Sequence, residues 1–272
     1  MEKRLPGFPF TIYQSPSIAS YHSLSQPIMT KLIESTPVSH LTKGPCLMHQ
    51  NWGSLLFMHW PIPVVDLRPL IPAELSIDEF DGSAWIAVVP FTMWGMRPVG
   101  MPPIPGTSAF HELNVRTYVT YQGIPGVWFF SLDANNRLAV WGARSTYSLP
   151  YRFAKMGLVR TNNSVEYSSE RTEIRFGKAG FTASWSIEDD FPASEPGSLT
   201  HFLTERYCLY SQRNKRIRRC PISHPRWPLS KARLNEYSSS MIESLGLKTP
   251  EVDPLLHYAE KLQVKIWPLQ RT

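Results

Sequence analysis

The chain has 272 residues, of which 18% are charged and 12% aromatic, with 25 prolines against 15 glycines. This composition is typical of a globular protein, and no apolar run approaches the roughly 20 residues that span a bilayer, which argues against a membrane-embedded or disordered chain. The formal net charge is +6, too modest an excess to predict nucleic-acid binding unless it is clustered on one face.

The start of the chain differs in composition from the remainder. Residues 1–44 are rich in serine and proline, and we interpret them as a flexible extension because they lack hydrophobic periodicity. A transit peptide is the alternative, but the single arginine, Arg4, argues against it. No apolar segment typical of a secretory signal is present, and three cysteines fit neither a disulfide framework nor a zinc site. We therefore predict a cytoplasmic location.

The first folded elements follow the extension. Apolar and aromatic runs predict buried strands over 52–60 and 83–91. Between them, residues 65–77 predict a short helix that prolines interrupt. Residues 93–108 contain Gly, Pro and Met without a period and predict a loop. Two interpretations of this loop stay open, a functional lid and a rigid connector that only packs.

Three runs form the centre of the pattern. Extended runs at 110–121 and 127–134 are joined by a turn, and a third run follows at 137–142. Asp133, at the end of the second run, is interpreted as a turn residue and not as a base.

The run 110–121 alternates between two chemically different faces. One face carries the apolar Leu113, Val115 and Val119. The other presents Glu112, Asn114 and Arg116, because successive side chains of a strand point to opposite sides. A carboxylate, an amide and a guanidinium in alternation indicate either a wet surface or the lining of a polar pocket. We expect the polar face to point inward.

The second half of the chain continues with hairpins. Runs at 165–175 and 181–187 flank a glycine-rich turn, and Ser198 is a plausible N-cap of a short helix. The segment 206–222 predicts a hairpin with Asn214 at its tip, and residues 261–269 predict a last strand.

The basic run 213–219 lies at the exposed end of this predicted hairpin. A ribbon of solvated arginines is favoured over a nucleic-acid patch at this position. Pairing symmetric about Asn214 would place Cys208 opposite Cys220, where the two thiols would cross-link under oxidant.

Eight or nine strands, two or three short helices and no internal repeat are expected. Hairpin-length links between strands predict a mostly antiparallel sheet, and closure of that sheet into a barrel removes its edges. Residues 45–272 are therefore predicted to form a single α+β, mainly β domain.

Several motifs carry a family resemblance. The segments WGSLLFMHW, LRPLIPAELSIDEFDGSAW, FHELNVRTYV, PGVWFFSLDA and FLTERYCLY resemble the YqjF-like family of uncharacterised bacterial proteins over most of residues 46–270. That family is similar, more distantly, to acetoacetate decarboxylase and its relatives. The resemblance implies a cone-shaped, mostly antiparallel β-barrel of the acetoacetate decarboxylase type, with a pocket inside and a few short flanking helices.

The resemblance also bears on chemistry. The decarboxylase forms a Schiff base on a lysine of a Pro-Lys-Lys step, whereas the matching step at 150–152 is Pro-Tyr-Arg, so both lysines are absent. Its pocket arginine follows an Ile-His-Tyr step, whereas Pro61 follows the matching residues 58–60. One of its two pocket glutamates is retained as Glu112. The resemblance thus implies a pocket without Schiff-base machinery.

No cofactor or metal site is predicted. The eight histidines show no HExxH or comparable spacing, and there is no GxSxG, GxGxxG or P-loop motif. A hydrogen-bonded structural role is favoured for His111, His224 and His257, although a site assembled across the fold stays open.

Two functional hypotheses follow. The first is a non-catalytic barrel that binds a small organic acid or carbonyl compound, with Asn114, Arg116, Arg144 and Arg152 among the ligand-binding residues. In this hypothesis Arg144 or a bound ligand completes the site at Glu112.

The alternative is a lyase, isomerase or hydrolase acting on such a compound. Glu112 would be its general acid or base, Tyr151 a proton donor, and Arg116 or Arg152 the anion contact. Nucleic-acid binding is a third and weaker hypothesis, and homo-oligomerisation is left open.

Overall fold

The computed structural model describes residue 42, residues 44–103 and residues 105–272. The predicted extension 1–44 lies outside the described residues, apart from residues 42 and 44. The strands are β1 (Met48–Ile62), β2 (Ser76–Ile77), β3 (Ala84–Pro98), β4 (Phe110–Tyr121), β5 (Ile124–Ala134), β6 (Tyr151–Thr161), β7 (Ser164–Arg171), β8 (Gly180–Asp190), β9 (Cys208–Arg213), β10 (Arg216–Ser223), β11 (Leu229–Ser239), β12 (Leu255–Ile266) and β13 (Gln270–Arg271). The helices are α1 (Val64–Leu67), α2 (Arg137–Thr146) and α3 (Leu199–Thr204), with 3-10 turns at Arg68–Leu70, Ile174–Phe176 and Glu243–Leu245. None of the described helices is long and apolar enough to cross a membrane.

The sheet closes on itself, in agreement with the closed sheet expected for this mainly β chain. The strand order β5-β6-β7-β8-β11-β12-β1-β3-β4 returns to β5 through the β4–β5 pairing. A smaller ring, β5-β9-β10-β12-β1-β3-β4, shares five of these strands. Most pairings are antiparallel, and β5 is parallel to β6 and β9. Closure leaves few unpaired strand edges.

Strand β4 is a wall common to both rings. Its apolar residues Leu113, Val115 and Val119 join a core that includes Phe181 and Trp185 of β8. Each such burial contributes about 1.5–3 kcal/mol relative to exposure. The predicted alternation is present, and the polar face of β4 turns into the smaller ring.

A backbone irregularity in β1 adjusts which side chains enter the smaller ring. Ser54 has a left-handed φ of 46°, and the register with β3 shifts between Gly53 and Met58. Such a bulge changes the alternation of a strand. As a result Trp52, before the bulge, and Leu55, after it, both line the same cavity.

The run predicted to be extended at 137–142 is instead part of helix α2. Asn136 is its N-cap, and its side-chain oxygen accepts the amide of Ala139 at 3.0 Å. The Asn136 amide group also donates to the carbonyl of Gly106 at 2.7 Å. A capped helix start and this tertiary contact outweigh the strand propensity of a short apolar run.

The predicted hairpin is present, but the predicted register was wrong: the observed strand pairing is shifted from it by one residue. Asn214 and Lys215 both have left-handed φ, 51° and 58°, which is the signature of a two-residue type I′ turn. Cys208 therefore pairs with Pro221, and Cys220 with Leu209. A one-residue shift sends a side chain to the other face, so the two cysteines lie on opposite faces of the hairpin.

Two smaller predictions have mixed outcomes. Strand β3 extends to Pro98, so the first six residues of the predicted loop 93–108 are extended and the irregular part begins at residue 99. Ser198 caps α3 as predicted, its hydroxyl oxygen accepting the amide of His201 at 3.2 Å.

Candidate functional site

The smaller ring and one face of α2 surround a cavity of about 290 Å³. Aromatic, aliphatic and methionine side chains make up most of its lining, including Trp52, Phe91, Phe129 and Trp227. Within the described residues, the charged groups of the lining are Glu112, Arg116 and Arg206. A mostly apolar cavity with a few convergent polar groups is the usual form of a small-molecule site.

Glu112 and Tyr151 form a hydrogen-bonded pair in this cavity. The Tyr151 hydroxyl donates to Oε2 of Glu112 at 2.6 Å. Burial raises the pKa of Glu112 to about 7, against the opposing effect of hydrogen bonds from Tyr151 and Asn114. Burial and the adjacent Glu112 raise the pKa of Tyr151 well above its ordinary value. Near neutral pH the pair therefore contains a protonated tyrosine and a carboxyl group that can exist in either form.

The backbone around Glu112 is fixed by a second tyrosine. The hydroxyl of Tyr167 donates to the carbonyl oxygen of Glu112 at 2.9 Å. Tyr167 belongs to the core of the larger ring, where it is 2% exposed. This contact ties the position of Glu112 to the packing on the other side of β4.

Arg116 is a buried cation that no acidic side chain neutralises among the described residues. Its side chain lines the cavity, the residue is 8% exposed, and its Nε has no hydrogen-bond partner in that part of the chain. Its guanidinium carbon lies 5.3 Å from the ring centre of Phe57 and 5.8 Å from that of Tyr118. Cation–π contacts of this kind only partly compensate for lost hydration.

Arg206 lies in the same cavity but is already paired. Its Nη1 donates to Asp78 Oδ2 at 2.6 Å, and its Nε donates to the carbonyl of Phe202 at 2.7 Å. His224 also lines the cavity, and its Nδ1 lies 2.7 Å from the carbonyl oxygen of Pro225. Burial lowers the pKa of His224, so a neutral imidazole is favoured. Arg206 was not predicted as a site residue, although it lies in the motif FLTERYCLY.

Arg144 and Arg152, predicted to bind the ligand, are not part of the cavity lining. Arg144 lies on α2, where it forms an ion pair with Glu173 and donates from Nε to the carbonyl of Tyr151 at 2.7 Å. Arg152 stacks on Phe176, with its guanidinium carbon 4.2 Å from the ring centre. Because Tyr151 points into the cavity, the next residue of β6 points away from it.

Asp133 is not a turn residue, in contrast to the prediction. It belongs to β5, is fully buried, and accepts hydrogen bonds from Nε and Nη2 of Arg171 at 3.0–3.2 Å. Both partners are nearly inaccessible to solvent, with side-chain exposures of 1% and 0%. This buried ion pair lies next to the site and is not part of the cavity lining.

His111 and His257 each hydrogen-bond a threonine. The Nδ1 atom of His111 lies 2.9 Å from Thr92 Oγ1, and Nε2 of His257 lies 3.2 Å from Thr200 Oγ1. Burial lowers the pKa of each histidine to about 4. No group of three or more potential metal ligands occurs in the described part of the chain.

The lining contains no lysine among the described residues. Tyr151 belongs to the Pro-Tyr-Arg step at 150–152, which the sequence resemblance sets against the Pro-Lys-Lys step of the decarboxylase. In the segment 93–108, Met93 and Met96 line the cavity, whereas Met101 is exposed.

The comparisons with known proteins agree with this architecture. The family DUF2071, described as "Uncharacterized conserved protein", matches residues 49–263. The "Uncharacterized protein YqjF" of Bacillus subtilis (strain 168) is 41% identical over 244 residues, which cover 89% of this chain and 99% of that protein.

Two solved structures show the same fold at low sequence identity. An acetoacetate decarboxylase-like enzyme from Sphingomonas wittichii RW1 matches with a TM-score of 0.57 and 11% identity, covering 84% of this chain and 94% of that one. The enduracididine biosynthesis enzyme MppR in complex with pyruvate matches with a TM-score of 0.57 and 11% identity, covering 91% and 98%. The resemblance found in the sequence is thereby confirmed, both for the relatives and for the fold.

Proposed function

The chain belongs to the DUF2071 family of uncharacterized conserved proteins, and we propose that it binds a small organic acid whose carboxylate pairs with Arg116. The observation that carries this proposal is a guanidinium in a mostly apolar cavity that, among the described residues, has no acidic partner and no hydrogen-bond partner at Nε. An ion that is buried without a partner costs several kcal/mol, and a bound anion recovers much of that cost.

The charges of the cavity favour an anion over a cation or a neutral ligand. Arg206 is neutralised by Asp78, and Glu112, with a pKa of about 7, is only partly ionised at neutral pH. Arg116 therefore leaves the cavity with net positive charge. Its guanidinium offers parallel donors that match the two oxygens of a carboxylate.

A related fold is known to hold such a compound. MppR, which shares the architecture, has been solved with pyruvate bound. At 11% identity that likeness concerns the fold alone, so it supports a ligand inside the barrel and leaves its contacts to be argued from Arg116.

The test is ligand-induced thermal stabilisation with a panel of carboxylic acids and their neutral amides. We expect acids to raise the melting temperature of the wild type and amides not to do so. Arg116→Met should abolish this response, while the melting temperature without ligand rises because an unpaired buried charge is removed.

The matched control is Arg152→Met, which removes an arginine outside the cavity. It should leave the response to acids unchanged. Equal stabilisation of wild type and Arg116→Met by every acid that binds would refute the proposal.

A second candidate function rests on the Glu112–Tyr151 pair. A carboxyl group with a pKa of about 7 is suited to accept a proton at neutral pH, and Tyr151 can donate one 2.6 Å away. The corresponding chemistry is removal of a proton from the carbon next to a carbonyl group.

Exchange of that proton with deuterated water, followed by NMR on bound keto acids, tests this activity. We expect exchange in the wild type and its loss in Glu112→Gln, with Arg152→Met as control. Exchange rates that are the same with and without the protein would contradict this second function and leave ligand binding as the sole proposed function.

A further inference from the structure

The cavity runs along β4, and its two ends differ. Four alternate residues of β4 line it: Phe110, Glu112, Asn114 and Arg116. These positions span about 20 Å at roughly 3.3 Å per residue. With a volume of about 290 Å³, the cavity also has room for more than a three-carbon acid.

The inner end is closed and cationic. Arg116, Arg206 and His224 line it, with residue exposures of 8%, 7% and 5%. Because Arg206 is paired with Asp78, Arg116 is the cation available to a ligand at this end. The carboxylate therefore belongs at the depth of the cavity.

The outer end opens beside helix α2. Residues at helical spacing line the cavity there: Leu138, Ala139, Gly142, Ala143 and Thr146. Leu138 is 64% exposed although it lines the cavity, so the cavity reaches the surface at this helix. The charged groups of the lining thus lie inside, and mostly small or apolar residues of α2 surround the opening.

The volume limits the size of the occupant. At about 30 Å³ for each water-sized group, a cavity of about 290 Å³ holds roughly ten non-hydrogen atoms. Apart from the cationic end, the polar side chains of the described lining include Asn114, the Glu112–Tyr151 pair, Gln50, Tyr147 and three threonines, and most of the other lining residues are apolar.

We propose that the ligand is an amphipathic carboxylic acid of roughly ten non-hydrogen atoms, with its carboxylate on Arg116 and its hydrocarbon part extending to α2. This inference rests on the proposed function, because it takes from it the carboxylate–Arg116 contact. Beyond the proposed function, this inference specifies the size of the ligand, its amphipathic character and its orientation in the cavity.

The test is calorimetric titration with unbranched carboxylates from acetate to octanoate, with pyruvate and octanamide as further probes. Affinity should rise about fourfold with each added methylene group until the cavity is full. Octanoate should bind more tightly than pyruvate, and octanamide should bind weakly because it lacks the charge.

A variant at the outer end separates length from charge. A Cβ atom added at Gly142 would meet no other atom within 4 Å, so Gly142→Leu should fold and fill the outer cavity. It should weaken octanoate binding by about tenfold or more and leave butanoate binding unchanged. Ser145→Leu, on the exposed side of the same helix, should change neither.

The outcomes distinguish this inference from the proposed function. Affinity that is constant or falls with chain length, or tighter binding of pyruvate than of octanoate, overturns the inference while acid binding at Arg116 stands. Equal weakening of butanoate and octanoate by Gly142→Leu also overturns it. Absence of binding by every acid overturns both.

Discussion

The hydroxyl of Tyr151, at the start of β6, lies 2.6 Å from Oε2 of Glu112 on β4. By the sequence resemblance, Tyr151 belongs to the step that corresponds to the Pro-Lys-Lys step of the decarboxylase. A tyrosine cannot form a Schiff base, but it can hold a neighbouring carboxyl group and donate a hydrogen bond to it. The pair thus keeps a polar centre in the cavity without the nucleophile.

The pKa of Glu112 predicts a pH-dependent stability. Its pKa is raised from 4.5 to about 7 in the folded state, so the folded protein binds the proton more tightly than the unfolded chain does. The resulting stabilisation is present below pH 4.5 and is lost as pH rises through 7, on the order of 3 kcal/mol. Glu112→Gln should lack this loss. Urea denaturation of both proteins between pH 5 and 8 measures it, and parallel stability curves would contradict it.

Tyr151→Phe should raise the pKa of Glu112 above about 7. The variant removes a hydrogen bond that favours the ionised carboxylate, while burial is unchanged. NMR titration of the labelled carboxyl carbon measures the shift. Tyr147→Phe is the control, because the Tyr147 hydroxyl lines the same cavity and has no hydrogen-bond partner among the described residues. A pKa that is the same in both variants would mean that the Tyr151 contact does not act on Glu112.

The buried pair of Asp133 and Arg171 should be important for stability. Asp133→Asn leaves Arg171 without its counter-ion, so we expect a loss of about 3–5 kcal/mol in the free energy of unfolding. Glu188→Gln breaks an exposed pair with Arg233 and should cost at most about 1 kcal/mol. Denaturant titration compares the two. Similar small losses in both variants would show that the buried carboxylate is not needed for the fold.

The register of the β9–β10 hairpin predicts that Cys208 and Cys220 remain thiols under mild oxidant. The two side chains lie on opposite faces, with Cys208 opposite Pro221. The control combines Cys208→Ala with Leu209→Cys, which places a new thiol directly opposite Cys220. Intact-mass analysis after diamide treatment should find a disulfide only in the control. A stoichiometric Cys208–Cys220 disulfide in the folded wild type would contradict the register.

The local patterns predicted the wall of the site well. The alternation in β4 depends on a period of two that any strand must obey, so the face containing Glu112 could be assigned from sequence. The same rule forbids adjacent residues of one strand from sharing a pocket. It could therefore have separated Tyr151 from Arg152 before the structure was known.

Features that depend on tertiary contacts were beyond the sequence patterns. Helix α2 depends on the cap at Asn136 and its contact with Gly106, which a short apolar run does not reveal. The partner of Asp133 lies 38 residues away on β7, and a period within one strand cannot identify it. The turn at Asn214 differs by one residue from the expected one, which is enough to separate two cysteines.

The most direct test of the account is a crystal structure of the protein with octanoate. We predict density in the cavity of the smaller ring, with the carboxylate oxygens about 2.7–3.2 Å from the Arg116 guanidinium. The alkyl chain should pass the Glu112–Tyr151 pair and end beside α2. Octanoate bound with its carboxylate at the opening, or an empty cavity in crystals saturated with the acid, would contradict the account.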